Sequence, residues 1–184
     1  MNFRKLVALA LVGVWLSACG ATSSSSTTGS TTSSSSDRPV WMTIPFTNVK
    51  TDKSITLADY AGKTVVVEGM AAWCGECFYQ QTQAAQMLAQ IKDDQVVYIS
   101  LDIDANEASA TLVDYANTNN FSWTFTTSNK PLMEGLISQF GRTISNPSSM
   151  PIFLISPGGH VSQLYTGGHT AEQLISLIAL QSKA

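Results

Sequence analysis

Two cysteines stand three positions apart in the stretch Trp73-Cys74-Gly75-Glu76-Cys77. An apolar run at 65–67 precedes this stretch, and a helical pattern follows it, with an apolar face made of Ala84, Met87, Leu88 and Ile91. The first thiol would lie at the helix N-terminus, where unpaired N–H groups and the macrodipole favour a thiolate. The second would lie one helical turn further, so that the two sulfurs can bond. The spacing therefore predicts a redox-active dithiol.

Two other interpretations of this cysteine pair remain open from the residues alone. The pair could be half of a zinc site, but tetrahedral zinc needs four ligands, and the further candidates are only His160 and His169. It could also be an inert structural disulfide. We expect no metal and no cofactor other than the redox-active disulfide itself.

The elements around the dithiol predict an α/β fold. A strand or the entry to a hairpin is expected at 41–49. Strands are expected at 64–67, 95–101, 123–126, 152–156 and, after a turn at 157–160, at 161–165. Helices are expected from the dithiol to about Lys92 and at 105–119, 131–140 and 170–180. This order predicts a central mixed β-sheet with helices on both sides.

The first 38 residues have the pattern of an exported lipoprotein. Arg4 and Lys5 precede an apolar run at 6–16 that is too short to span a bilayer. Leu16-Ser17-Ala18-Cys19 then resembles the bacterial lipobox, in which the cysteine is acylated. We expect a signal peptide at 1–18, a lipidated Cys19 with a disordered Ser/Thr-rich tether at 19–38, and a folded domain at 39–184. The alternative is an ordinary secretory signal with a chance cysteine.

Charge and cysteine content limit the partners and the compartment. The net charge is −3 and no basic patch is visible, which argues against nucleic acid as a partner. The chain has three cysteines, and lipidation of Cys19 would account for the odd one. Export would place the remaining pair where disulfides are chemically allowed.

Four features together resemble the thioredoxin fold, and within it the membrane-tethered TlpA/ResA-like thiol–disulfide oxidoreductases. They are the Trp-Cys-x-x-Cys turn, the entry segment 55–63, the helix and strand inserted between Asp102 and Phe140, and Met150-Pro151 ahead of a strand and a Gly-Gly turn. The resemblance covers Phe46 to the C-terminus. It implies a thioredoxin-like fold with the N-terminal extension and inserted helix and strand of that group.

Three residues gain expected roles from their positions. Cys74, at the helix N-terminus, would be the more exposed and more acidic thiol and would attack a partner disulfide, and Cys77 would resolve the mixed disulfide. Glu68 interrupts an apolar strand, and burying an unpaired carboxylate is costly. Its position matches the buried acid that handles the proton of the second cysteine in thioredoxins. The alternative is an ion pair with a lysine or a place at the solvent rim.

The resemblance also implies a substrate-binding role for Trp73, Met150 and Pro151. Pro151 resembles the cis-proline opposite the dithiol, which would turn the Met150 backbone toward a substrate strand. The alternative is an ordinary trans proline at the start of a strand. Trp73 would shield one side of the disulfide, unless it is a plain core aromatic residue.

Several positions depart from the pattern of these relatives. Gly75 and Glu76, between the cysteines, tune the redox poise, and Glu76 replaces a proline that many relatives have. We expect its negative charge to disfavour the Cys74 thiolate and make the couple more reducing. Phe78 replaces a common basic residue, and Met150 replaces Thr, Val or Ile.

Polar residues near the dithiol have simple structural interpretations. The run Gln80 to Gln90 is expected on the solvated side of the helix. Asp102 and Asp104, at the end of a strand, are expected to be surface or capping groups.

The function expected from these observations is membrane-anchored thiol–disulfide exchange in an extracytoplasmic space. The protein would reduce disulfides of exported proteins, with apocytochrome c as one client implied by the resemblance and a membrane thiol carrier as electron donor. A peroxiredoxin-like thiol peroxidase is an alternative, although Ala71 stands where the Thr-x-x-Cys pattern has threonine. A copper-handling module is a second alternative, although its Cys-x-x-x-Cys spacing is one residue longer.

Overall fold

The structure is a computed structural model, and it describes residues 38–184. The strands are β1 (Phe46–Asn48), β2 (Lys53–Ile55), β3 (Thr64–Met70), β4 (Val96–Asp102), β5 (Thr124–Thr127) and β6 (Ile152–Ile155). The helices are α1 (Gly75–Ile91), α2 (Ser109–Thr118), α3 (Lys130–Phe140) and α4 (Ala171–Gln181). The strands form one sheet in the order β2-β1-β5-β4-β3-β6. Within the described residues, no helix is long and apolar enough to cross a bilayer.

The centre of the sheet is parallel and its edges are antiparallel. β3 pairs with β4, and β4 with β5, in parallel, whereas β6 and the β1–β2 hairpin run antiparallel to their neighbours. All seven residues of β3 are buried, because helices cover both faces, and this explains why the strand reads Val-Val-Val without alternation. The predicted mixed sheet with flanking helices is confirmed.

Two hydrophobic layers fix the helices on the sheet. On one face, Trp41, Val65 and Val67 pack with Phe153 and residues of α3. On the other face, Val66 and Tyr98 pack with apolar residues of α1 and α4, namely Ala84, Met87, Leu174 and Ile178. Alternate residues of β3 therefore face opposite layers, and Glu68 lies on the same side as Val66.

Three predicted elements are shorter than expected. Residues Val40–Thr43 form a 3-10 turn instead of a strand, because Trp41 turns into the core against Phe153, with 5.7 Å between the ring centroids. The helix predicted from residue 105 begins only at Ser109, because the Asp104 carboxylate accepts the Asn106 N–H at 2.9 Å and holds a non-helical turn there.

The predicted strand at 161–165 is also reduced, to two isolated bridges. Tyr165 pairs with Ile152, and Val161 pairs with Ile155, which leaves one extra residue in the returning segment. The Ser162 hydroxyl accepts the Leu154 N–H at 2.9 Å in place of a backbone carbonyl. The returning segment thus bulges away from a regular ladder.

Candidate active site

The two cysteines form a disulfide at the junction of β3 and α1. Their Cα atoms are 5.3 Å apart, and Cys74 is the N-cap residue of α1. The Cys77 N–H points at the Cys74 sulfur, with 3.2 Å between nitrogen and sulfur. This N–H and the helix dipole would stabilise a thiolate at Cys74 once the disulfide is reduced.

Both cysteines are buried, which differs from the expected contrast in exposure. Cys74 is 2% exposed and Cys77 is fully buried. Residues of the loop before the disulfide and of the segment 147–149 lie close to it; the Pro147 carbonyl oxygen is 3.4 Å from the Cys77 sulfur. Little of the Cys74 side chain is therefore open to solvent.

The two residues between the cysteines face solvent. Gly75 is exposed, and a Cβ placed on it would meet no atom within 4 Å, so packing does not require a glycine there. The Glu76 carboxylate lies 3.9 Å from the Cys74 sulfur. This distance is compatible with the predicted effect of Glu76 on the thiolate, because a negative charge so close opposes a second one.

Carboxylates fix the loop that precedes the disulfide. Glu107 accepts the Ala72 N–H, with 2.8 Å to one oxygen and 3.1 Å to the other, and Asp104 accepts the Trp73 indole N–H at 2.8 Å. Trp73 is 61% exposed, so it is a surface residue beside the disulfide and not a core aromatic residue. Asp102 is buried and so is not a surface group, but its carboxylate accepts the Asp104 N–H at 2.9 Å, as the capping interpretation predicts. Burial raises its pKa to about 7.

Pro151 packs directly on β3 because the opposing residue is a glycine. A Cβ on Gly69 would come within 2.9 Å of the Pro151 ring, and the Gly69 N–H donates to the Pro151 carbonyl at 2.8 Å. Gly69 was not among the predicted site residues, although a glycine inside a buried strand indicates close approach of another chain segment. The cis conformation of Pro151 stays a prediction.

The Met150 backbone is less available than predicted. Met150 has a left-handed conformation with φ of 47°, and its N–H donates to the Pro147 carbonyl at 2.8 Å. The 3-10 turn at Pro147–Ser149 therefore uses the donor that a substrate strand would need. The half-buried Met150 side chain instead lies near Tyr79, since both approach Gly168.

Glu68 lies below the disulfide in a closed polar cluster. It is fully buried, and its Oε2 accepts from the Gln81 amide at 3.2 Å and from the Ser100 hydroxyl at 3.1 Å. No Lys, Arg or His of residues 38–184 forms an ion pair with it, and it is far from the rim, so both alternative interpretations are wrong. Burial raises the pKa of Glu68 to about 8, although the two hydrogen bonds and the neighbouring Tyr98 hydroxyl oppose the rise.

Gln80 and Gln81 are fully buried, and their predicted place on the solvated side of the helix is wrong. Gln80 forms two hydrogen bonds with the His169 backbone, at 2.8 and 3.3 Å, and so ties the segment before α4 to the active-site helix. The spacing could have revealed them, because positions 77, 80, 81, 84 and 87 form one helical stripe whose other members are apolar and buried.

Some predicted site features lie elsewhere or have no partners. Cys19, with its predicted lipidation, lies outside the residues that the structure describes. Across residues 38–184, no three His, Cys, Asp or Glu side chains lie close enough together to hold a metal ion. His169 is half-buried, and burial lowers its pKa.

The comparisons with known proteins identify the fold. No protein-family model matches the sequence, and no curated protein matches it either. A thiol:disulfide interchange protein of the thioredoxin family from Chlorobium tepidum is similar in structure, with a TM-score of 0.62 and 17% identity, over 75% of this chain and 92% of that one.

Two further solved structures are similar. One is a secreted Mycobacterium tuberculosis disulfide oxidoreductase homologous to E. coli DsbE, with a TM-score of 0.58 and 14% identity over 76% of this chain and 97% of that one. The other is BsSco, a Sco-family cytochrome c oxidase assembly protein with a disulfide switch, with a TM-score of 0.60 and 20% identity over 74% of this chain and 89% of that one. At these identities the likeness shows the fold, and the predicted thioredoxin-like fold is confirmed.

Proposed function

We propose that this chain is an extracytoplasmic thiol–disulfide oxidoreductase that reduces disulfides of exported proteins. One observation carries the proposal: the Cys74–Cys77 disulfide caps α1, and Gln81, one turn beyond Cys77 on the same helix, hydrogen-bonds to a fully buried carboxyl group that has no ion-pair partner among the described residues. An inert structural disulfide needs neither a thiolate-stabilising helix N-terminus nor a costly buried acid beside it.

The reaction would proceed in two exchanges. In the reduced protein, the Cys74 thiolate attacks a client disulfide; a Cys74–client S–S bond forms, the client bond breaks, and one client sulfur leaves as a thiolate that takes a proton from solvent. In molecules in which Glu68 is ionised, Cys77 then passes its proton to that carboxylate and attacks the Cys74 sulfur. The mixed disulfide breaks, the second client sulfur leaves, and the client has gained two electrons while Cys74 and Cys77 become a disulfide again.

The surface around the disulfide favours a polypeptide client. Among the described residues, five large hydrophobic side chains are exposed, and three of them, Trp73, Phe78 and Tyr79, flank the disulfide. Exposed aromatic residues grouped at one place indicate an interaction site. Trp73, Tyr79 and Met150 would contact the client chain on either side of its cysteine, and apocytochrome c is one client of this kind.

The cellular place of the reaction is part of the proposal. The lipobox-like Leu16–Cys19 would anchor the chain to a membrane, and the Ser/Thr-rich segment after it would let the domain reach its clients. A membrane thiol carrier would return electrons to the disulfide. The direction of electron flow depends on the reduction potential of the pair relative to its compartment.

A trapping experiment tests the exchange. In a Cys77→Ser chain, Cys74 can still attack a client disulfide, but no second thiol can break the mixed disulfide that forms. This variant should therefore accumulate a mixed disulfide with an unfolded, disulfide-bonded client, and Cys74→Ser should not. Reduction of that client by the natural chain with excess dithiol should be fast, and peroxide should not replace the client as oxidant. Equal peroxide turnover would favour the thiol peroxidase alternative, and no adduct with Cys77→Ser would refute the exchange.

Anchoring is tested separately. The natural chain expressed in bacteria should take up labelled fatty acid and partition into detergent, and Cys19→Ser should lose both properties. Label that persists in Cys19→Ser would contradict the lipid anchor without affecting the dithiol chemistry.

A further inference from the structure

We infer that Tyr115 and Trp123 are positioning residues for Glu68: each fixes the direction of one of the two hydrogen bonds that this carboxylate accepts. Neither residue belongs to the cysteine turn or to the predicted site. The inference rests on the proposed function in one respect, because it supposes that Glu68 receives the proton of Cys77.

The first fixed bond comes through Gln81. The Tyr115 hydroxyl donates to the Gln81 Oε1 at 2.6 Å. A carbonyl oxygen can only accept, so this bond turns the amide nitrogen of Gln81 toward Glu68, 3.2 Å away. Without the Tyr115 hydroxyl, the amide could rotate and present its oxygen to Glu68, which would favour a protonated carboxyl group.

The second fixed bond comes through Ser100. The Trp123 indole N–H, which can only donate, points at the Ser100 hydroxyl oxygen at 2.9 Å. The Ser100 proton is therefore directed to the other side, where Glu68 Oε2 lies 3.1 Å away. Without the Trp123 indole, the Ser100 hydroxyl could rotate and accept a hydrogen bond from a protonated Glu68.

Aromatic packing holds the two outer residues in place. Trp123 stacks on Phe121, with 4.6 Å between ring centroids, and meets Tyr98 edge-on at 5.4 Å; Tyr115 packs on Phe121 at 6.0 Å.

Three titratable groups face Glu68: Tyr98 from β4, Tyr115 from α2 and, when reduced, Cys77, one turn before Gln81 on α1. The residue of β6 that pairs with Glu68 is Ile152. No cation is among these groups, so directed donors are what partly offset the burial that favours the neutral acid.

The test is a direct titration of Glu68 in the full chain with its disulfide oxidised. The side-chain carboxyl carbon is followed by NMR against pH, and the Glu68 signal is assigned by its loss in Glu68→Gln. Tyr115→Phe removes one hydroxyl and should move the Glu68 midpoint up by about one pH unit, since a lost donor favours the neutral acid. Trp123→Phe should move it in the same direction.

A matched control variant and a double-mutant cycle separate a positioning role from a general disturbance of the fold. Tyr165→Phe removes another half-buried hydroxyl, on a ring that packs against His169 instead, and should leave the Glu68 midpoint unchanged. In a Ser100→Ala background, Trp123→Phe should add nothing, because the bond that it directs is already gone. A Tyr115→Phe midpoint equal to that of Tyr165→Phe would overturn the inference.

Activity distinguishes this inference from the proposed function. If client reduction is present, its pH profile should shift with the Glu68 midpoint in Tyr115→Phe. Absence of client reduction in the natural chain would refute the proposed function, whereas the titration would still show whether Tyr115 and Trp123 act on Glu68. An active chain with an unshifted midpoint would refute the positioning role alone.

Discussion

The outer and inner sides of the disulfide differ in their exposure to solvent. On the outer side lie exposed groups, Trp73, Glu76, Phe78 and Tyr79, whose partners are solvent and acceptors at the surface. On the inner side, Glu68 and its hydrogen-bonding partners are excluded from solvent by aromatic residues. In the proposed reaction, client contact would take place on the outer side and proton transfer on the inner side, where α1 reaches Glu68 through Gln81, one turn beyond Cys77. Changes on the outer side should alter client choice and potential, and changes on the inner side should alter pH dependence and stability.

The largest effect should come from the sulfurs that join the two sides. Cys74→Ser should lower client reduction by at least about 1,000-fold, because the other described thiol, Cys77, is fully buried. Stability should change little beyond the loss of the disulfide. The assay is reduction of an unfolded disulfide-bonded client with excess dithiol, and Cys77→Ser is the matched control for loss of that bond. Residual activity within tenfold of the natural chain would show that the reaction does not need Cys74.

On the inner side, Glu68→Gln should change the pH dependence of stability. The folded chain keeps the Glu68 proton up to a pKa of about 8, whereas the unfolded chain loses it near 4.5, so the natural chain loses stability as pH rises between these values. The free energy of unfolding of Glu68→Gln relative to the natural chain should therefore grow by roughly 4 kcal/mol between pH 5 and pH 8.5.

Urea unfolding of the oxidised chains at the two pH values measures this difference. Glu134→Gln, at an exposed position of α3, is the matched control and should show no such growth. A Glu68→Gln difference that stays constant with pH would mean that Glu68 is not held as a neutral acid near neutral pH.

Gln80→Leu tests how the inner side is held against α4. It leaves the N–H and carbonyl of the half-buried His169 without their partner, and should cost about 2 kcal/mol of unfolding free energy. Gln90→Leu, at an exposed position of the same helix, should change the free energy by less than about 0.5 kcal/mol. Equal costs for the two changes would place Gln80 with the surface residues, where the sequence had suggested it belongs.

The smallest effect is expected on the outer side, at Glu76. Glu76→Gln removes the negative charge 3.9 Å from the Cys74 sulfur. Loss of this charge stabilises the Cys74 thiolate, and therefore the reduced form, so the reduction potential should become less negative by about 10–30 mV. Glu76→Pro should move it in the same direction. Equilibration with a glutathione buffer gives the potential, and an unchanged or more negative value for both variants would contradict the role assigned to Glu76.

The sequence was informative where a residue type has few physical explanations. A Cys-x-x-Cys between a strand and a helix favours dithiol chemistry over a zinc site or an inert disulfide, and an acid inside an apolar strand already points to a special role. The sequence was misleading where a polar residue occupies a core position. Gln80 and Gln81 were assigned to solvent by their polarity, although the helical period placed them on the buried stripe. Polarity alone does not show whether hydrogen-bonding partners exist elsewhere in the fold.

Long-range contacts set the remaining features, and single-sequence patterns do not contain them. The engaged N–H of Met150 follows from the turn at Pro147–Ser149, and the direction of the Glu68 hydrogen bonds follows from Tyr115 and Trp123, which are distant in sequence. The shortened strands near Trp41 and Tyr165 likewise depend on packing and on one extra residue.

Redox titration of the Cys74–Cys77 pair tests the central claim most directly. The full chain is equilibrated with graded mixtures of reduced and oxidised dithiol, and its free thiols are counted after acid quenching, with Cys74→Ser/Cys77→Ser as the blank. The account predicts a reversible two-electron transition between about −270 and −120 mV, the range of thioredoxin-fold couples. A pair that stays bonded under strongly reducing conditions in the folded chain would be a structural disulfide, and the account would be wrong.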